Sequence, residues 1–180
     1  MAQVTGGDKL EQALAQIRDR VLKATAVRVG FLDSTQEPGS ELNVPTVAAI
    51  NNFGAPEAGI PARPFFSNMV AENSPDWGAK FAEVLVATDY DTKAALEFMG
   101  RGIADQLRVS LDATESPPNS PVTLLLKDRF PSEQGRTDMT FSDVLQARAD
   151  VKAGKVPGGE HSKPLLWTGV MRSNIDSEVE

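Results

Sequence analysis

Apolar positions first recur at helical spacing at Leu10, Leu14, Ile17, Val21 and Leu22, which predicts a helix over residues 9–23 capped by Asp8. Arg18, Arg20 and Lys23 lie toward its C-terminal end, where cations suit the helix dipole. Residues 1–7 before it read as a frayed or ligand-dependent flexible arm. Val27, Val29 and Phe31 then alternate with Arg28 and Gly30, the mark of a half-buried strand. Residues 33–43 are polar and carry a Pro38-Gly39 turn. A short helix is predicted over residues 45–53, with Pro45 in its first turn, Gly54 beyond its end, and Val47, Ile50 and Phe53 along one side. Asn51 and Asn52 on it read as solvated, with a hydrogen bond to a neighbouring chain as the alternative.

The stretch Ile60-Pro61-Ala62-Arg63-Pro64-Phe65-Phe66 organises the rest of the chain. Each proline fixes φ near about −65° and removes a backbone donor, so neither a ladder nor a helix interior suits the span. Arg63, directly before Pro64, is pushed toward extended backbone. Pro64 can serve as a first helical residue, with Phe65, Phe66 and Met69 supplying apolar contacts. The segment is a stiff connector that holds one guanidinium in a set direction. The plainer alternative is a rigid turn that anchors the core.

Ser74-Pro75 has the form of a helix start, and Trp77, Phe81, Val84 and Leu85 come after it as a core stripe. Asp89 or Asp91 opens another helix running to residue 113, expected to be the longest, with Ala95, Leu96, Met99, Ile103, Leu107 and Leu111 facing inward. Gly100 and Gly102 weaken it by about 1 kcal/mol each relative to alanine. They suggest close approach by another element. Residues 115–164 differ in texture. Ser116-Pro117-Pro118-Asn119-Ser120-Pro121 excludes regular structure, Ser120-Pro121 can start a short helix through Val122, Leu125 and Leu126, and a further helix fits residues 141–152. The polar stretches between them make this an extended interaction excursion with long irregular loops. Ile175, Ser177 and Val179 alternate with Asp176, Glu178 and Glu180 as a last strand.

The chain has 180 residues, enough for a single domain over 1–180 with its own core, and its 41% apolar and 24% charged residues are ordinary for a globular protein. A net charge of −7 argues against a module that grasps DNA, which needs a cationic face. It suits a surface over which DNA slides, because like charges repel. No cysteine is present, so disulfides and thiolate metal sites are excluded. No run approaches transmembrane length and no signal-peptide core is evident, so cytosolic synthesis is expected, with no membrane partner.

No catalytic constellation emerges. Gly154-Lys155 lacks the frame of a phosphate-binding loop, Gly100-Arg101-Gly102 lies inside a helical pattern, and no Gly-x-Ser-x-Gly surrounds a serine. The one histidine, His161, reads as an exposed loop residue. Acidic residues are scattered as on a solvated face, and neither Asp89 with Asp91 nor Glu37 with Glu41 has a Ca²⁺-type ligand set. No cofactor is expected, and no enzymatic activity.

Several pieces then coincide in order: Val27-Arg28-Val29-Gly30-Phe31, Ala49-Ile50-Asn51-Asn52-Phe53-Gly54, the Ile60–Phe66 connector, and Pro164-Leu165-Leu166-Trp167-Thr168-Gly169 with Ser173-Asn174-Ile175. Together, over most of residues 25–180, they resemble the neck or tail-completion (virion-morphogenesis) proteins of long-tailed bacteriophages. The resemblance implies an α+β fold with a small mixed or antiparallel sheet flanked by several helices. It also implies a hexameric ring at the head–tail junction of the virion, joined to head connector or adaptor proteins and to tail terminator or tube proteins, with DNA passing through the lumen. Self-association is the expected mechanism. Arg63 leads the expected subunit or neighbour interface, because a planar fork held by two prolines loses little entropy on pairing. Asn51, Asn52, Pro117, Pro118, Trp167, Thr168 and Arg172 complete that set. Two alternatives stand beside the ring subunit: an assembly chaperone absent from the finished particle, and a small hydrolase with carboxylates around the proline-rich loop.

Overall fold

The structure is a computed structural model that describes residues 7–131, 137–158 and 162–180. Most of the expected N-terminal arm, and His161, lie outside the described residues. In chain order the elements are α1 (Gly7–Val21), β1 (Val27–Phe31), α2 (Val44–Phe53), a 3-10 turn (Pro56–Ala58), α3 (Phe65–Ala87), α4 (Thr92–Ala113), α5 (Pro121–Arg129), α6 (Phe141–Lys152), α7 (Val170–Ser173) and β2 (Ile175–Val179). The fold is α+β, with helices around an antiparallel β1–β2 pair.

The two strands come from opposite ends of the chain. Val27 lies opposite Val179 and Phe31 opposite Ile175. A two-stranded ribbon is marginal alone and needs a helix against it. Here α4 packs across both strands, and the approach is close because of one glycine. A Cβ built on Gly100 meets Val27 Cγ2 at 2.8 Å and Ser177 Cβ at 2.9 Å. Gly102, on another side of the helix, meets nothing within 4 Å, so the close approach expected of both glycines holds for Gly100 alone. The main core gathers Val44, Ala48, Phe65, Met69, Ala104, Leu107, Leu111, Leu165, Met171 and Ile175. Phe31 and Phe65 meet edge to face, with centroids 6.3 Å apart. Leu125, Leu126 and Ala147 form a second, smaller core inside the 115–164 excursion, with Trp167 packed against it.

Several helix limits differ from the sequence expectation. Helix α1 begins at Gly7 rather than beyond an Asp8 cap, so Asp8 lies in its first turn. Ser74-Pro75 starts nothing: α3 runs unbroken for 23 residues with Pro75 inside it, one residue longer than α4. An interior proline costs about 3 kcal/mol. Anchors on both sides hold the helix against that cost: Phe65 and Met69 before Pro75 are buried, and Trp77 after it donates Nε1–H to Gln106 Oε1 of α4 at 3.0 Å. The stripe from Trp77 to Leu85 is only half-buried. Helix α2 buries Val44, Ala48 and Asn52, whereas Phe53, read with Val47 and Ile50 as one side of the helix, is 74% exposed. Asp91, not Asp89, caps α4, accepting from the Ala94 amide at 3.2 Å.

The two glycines of α4 separate packing from propensity. Gly100→Ala forces the strands away and should destabilise the protein by about 1 kcal/mol or more net of its helical gain. Gly102→Ala should stabilise it by up to about 1 kcal/mol. Urea unfolding of both variants checks the opposite signs.

Candidate functional site

Arg63 is fixed at both its backbone and its side chain. Its N–H donates to Asn51 O at 2.7 Å, which closes the segment between α2 and α3 on itself. Gly54 makes room for that closure: its φ is +77°, and a Cβ there would stand 2.7 Å from the Ala62 nitrogen. The guanidinium, on a residue only 6% exposed, donates from Nε to Pro117 O at 2.7 Å and from Nη2 to Pro118 O at 3.2 Å. It forms no ion pair among the described residues. Burial pulls its pKa below the ordinary arginine value. Arg63, expected to face a neighbour, is therefore used as an internal clamp on residues 117–118.

Asn52 is likewise not solvated. It is buried, its Oδ1 accepts from the Phe66 and Ser67 amides at 3.0 and 3.1 Å, and its Nδ2 donates to Ser67 Oγ at 2.8 Å. It caps α3 from another helix, in place of the side-chain cap that Pro64 cannot supply. Asn51 is half-buried and turns its Nδ2 back to Val47 O at 2.9 Å.

Arg63, Asn51, Pro118, Trp167 and Thr168 line one cleft of about 560 Å³. Pro117 contributes its carbonyl to the clamp rather than a wall. Arg172 stands apart on α7, where its Nε donates to both carboxylate oxygens of Asp112 on α4 at 2.9 Å. Sequence reasoning missed two cleft residues, Glu37 and Lys127. Glu37 is buried, contrary to a uniformly solvated acidic surface. Lys127 is 1% exposed and donates to Lys163 O and Leu166 O, both at 2.6 Å, with its ammonium 6.0 Å from the Trp167 ring centroid. The Leu124-Leu125-Leu126 run before it was the one signal present, since it leaves little room for a polar face. Trp167 donates Nε1–H to Phe130 O at 2.7 Å and so ties the C-terminal segment to α5.

The second core has its own electrostatic tie. Asp150, buried on α6, contacts Arg129 of α5 and accepts from Lys155 Nζ at 2.9 Å and Gln146 Nε2 at 3.2 Å. Lys155 foremost, then Arg129, hold its carboxyl down to about 2. The cleft brings together two cations, one carboxylate and an indole. Among the described residues no group of three His, Asp or Glu is placed to hold a metal ion. The chain matches no protein-family model, no curated protein and no solved structure.

Arg63→Ala leaves two inward carbonyls without a donor and should cost about 2–3 kcal/mol in urea unfolding. Arg63→Lys should recover less than half, because one ammonium cannot reproduce the fork. Asp150 gives a pH signature. Its pKa is depressed in the fold, so its contribution is complete above the ordinary value of 3.8 and is lost as pH falls through about 2. In a Trp77→Phe background, Trp167 emission should report loosening of the α5–α6 core between those values, and Asp150→Asn should show the loosened signal already at pH 7.

Proposed function

We propose that the chain is a structural virion subunit that closes into a ring at the head–tail junction of a long-tailed phage and lines the path of the DNA. One observation carries this reading: large apolar side chains stand open to solvent on several separate elements. They include Phe53 on α2, Phe98 and Val109 on α4, and Phe141 and Leu145 on α6. Scattered single hydrophobes are normal on any surface, but periodic stripes left open on packed helices mark faces that another chain completes. Faces on different sides of one subunit are what ring closure requires, since each copy must offer one surface to its neighbour and a different one in return.

The charge supports the same reading. A net −7 keeps DNA from sticking to a wall it must slide along. Among the described residues no helix is long and apolar enough to cross a membrane. The resemblance at residues 49–54, 60–66 and 164–169 supports a position at the neck of the particle, and the open faces support assembly by self-association.

Mass spectrometry of purified particles of the phage that encodes the chain should recover it in several copies per particle. Loss of the gene should yield filled heads and free tails that fail to join. Its absence from finished particles would end the proposal.

A further inference from the structure

Among the described residues, the side-chain bonds that attach helix α1 all lie at its C-terminal end. Arg20 contacts the Asp89 carboxylate and donates to Asp89 O at 3.1 Å, Lys23 pairs with Asp91, and Thr92 Oγ1 donates to Val21 O at 2.9 Å. These bonds hold it to the α3–α4 turn. From Asp8 to Asp19 every residue except Ala15 is exposed, and Leu10, Leu14, Ile17 and Val21 are each between 37% and 63% exposed.

Those four residues succeed one another at steps of four, three and four, the alternation that makes a straight seam for a second helix. With Leu14 and Val21 at a and Leu10 and Ile17 at d, the e positions hold Glu11 and Arg18, and the g positions hold Ala13 and Arg20. Glu11 has no hydrogen bond or ion pair among the described residues. Among the described residues the Arg18 side chain bonds only its sequence neighbour Asp19, at 3.0 Å and well exposed to solvent, a pairing worth little.

We infer that α1 packs antiparallel against α1 of a second copy about a two-fold axis. In that arrangement Leu10 faces Val21 of the partner subunit, and Leu14 faces Ile17 of the partner subunit. On one flank, e meets e, so Glu11 meets Arg18 of the partner subunit and the symmetry repeats the pair. On the other, g meets g, and Ala13 meets an Arg20 already neutralised by its own Asp89. A parallel pair brings no opposite charges together, because g would then meet e and Ala13 would face Arg18. Charge complementarity thus selects both the occupant and its direction. The contact does not rest on the ring: a two-fold contact pairs two copies, and a ring must close through other surfaces.

Sedimentation of the full chain at low salt should show a dimer that Leu14→Glu abolishes. Glu11→Arg and Arg18→Glu each turn two attractions into two repulsions and should weaken dimerisation on the order of tenfold. The double variant restores both pairs and should return to within about threefold of wild type. The absence of native cysteine permits a second readout. Glu11→Cys/Arg18→Cys should oxidise to covalent dimers only, and neither single variant should cross-link, because like positions lie about 10 Å apart along the pair. A double charge variant as weak as the singles, a ladder of higher cross-linked species, or a wild-type monomer at hundreds of micromolar would overturn the inference. None of these outcomes bears on whether the chain is present in particles, and the reverse also holds.

Discussion

A buried guanidinium with no carboxylate partner among the described residues is the constraint on which the arrangement turns. Removing a charge from water is costly, and Arg63 recovers that cost from peptide carbonyls instead of an ion pair. Carbonyls are fixed to the backbone, so the bonds specify a path for the chain and not merely a contact. The prolines on either side of Arg63 fix where the guanidinium starts, and the carbonyls of Pro117 and Pro118 fix where it ends. The two halves of the chain are thereby set relative to each other at the point where α5 begins. Ser120 then caps α5 through the Thr123 amide at 3.1 Å, just beyond the clamp.

Polar groups also join the main core to the smaller one. Lys127 occupies the junction with its ammonium on two carbonyls and near the Trp167 ring. Trp167 hydrogen-bonds across to Phe130. Buried polar junctions of this kind tolerate little displacement, since each donor moved from its acceptor is left dry. The excursion, read from sequence as short helices joined by irregular loops, is a packed lobe where it is described: its helices α5 and α6 share the smaller core, and a capping box at Thr140 and Asp143 starts α6.

What could be read in the sequence obeyed local rules. The alternating strands, the proline and glycine bracketing α2, the Asp91 and Ser120 caps and the inward positions of α4 are all set by neighbours a few residues away. The failures occurred where distant residues decide. Pro75 stays helical because packing on both sides outweighs a local start signal. Asn52 is buried because α3 begins with a proline that offers no side-chain cap, and a polar residue fourteen positions back supplies it. Lys127 is buried because the carbonyls of Lys163 and Leu166, far along the chain, converge on it only in three dimensions. Of the eight interface candidates, Asn51, Arg63, Pro118, Trp167 and Thr168 line one cleft. Composition and spacing held no sign that Arg63 would be consumed within its own chain.

Periodicity has a further limit, which α1 makes plain. A stripe at helical spacing says which face of a helix prefers to leave water, and is silent on whether the partner belongs to the same chain. Helix α4 and helix α1 carry comparable stripes, yet Leu107 and Leu111 are buried against their own fold while Leu10 and Leu14 are open. The difference lies in attachment. Helix α4 is crossed by two strands and flanked by α3, so its apolar face is covered as the chain closes. Helix α1 is tethered at one end by two ion pairs on a turn, which fixes its direction while leaving its length uncovered. A polar tether with an apolar free face separates folding from any association: the chain folds without covering this face, and the face is already oriented. In the pairing proposed for α1, that separation lets each copy fold before the face is covered.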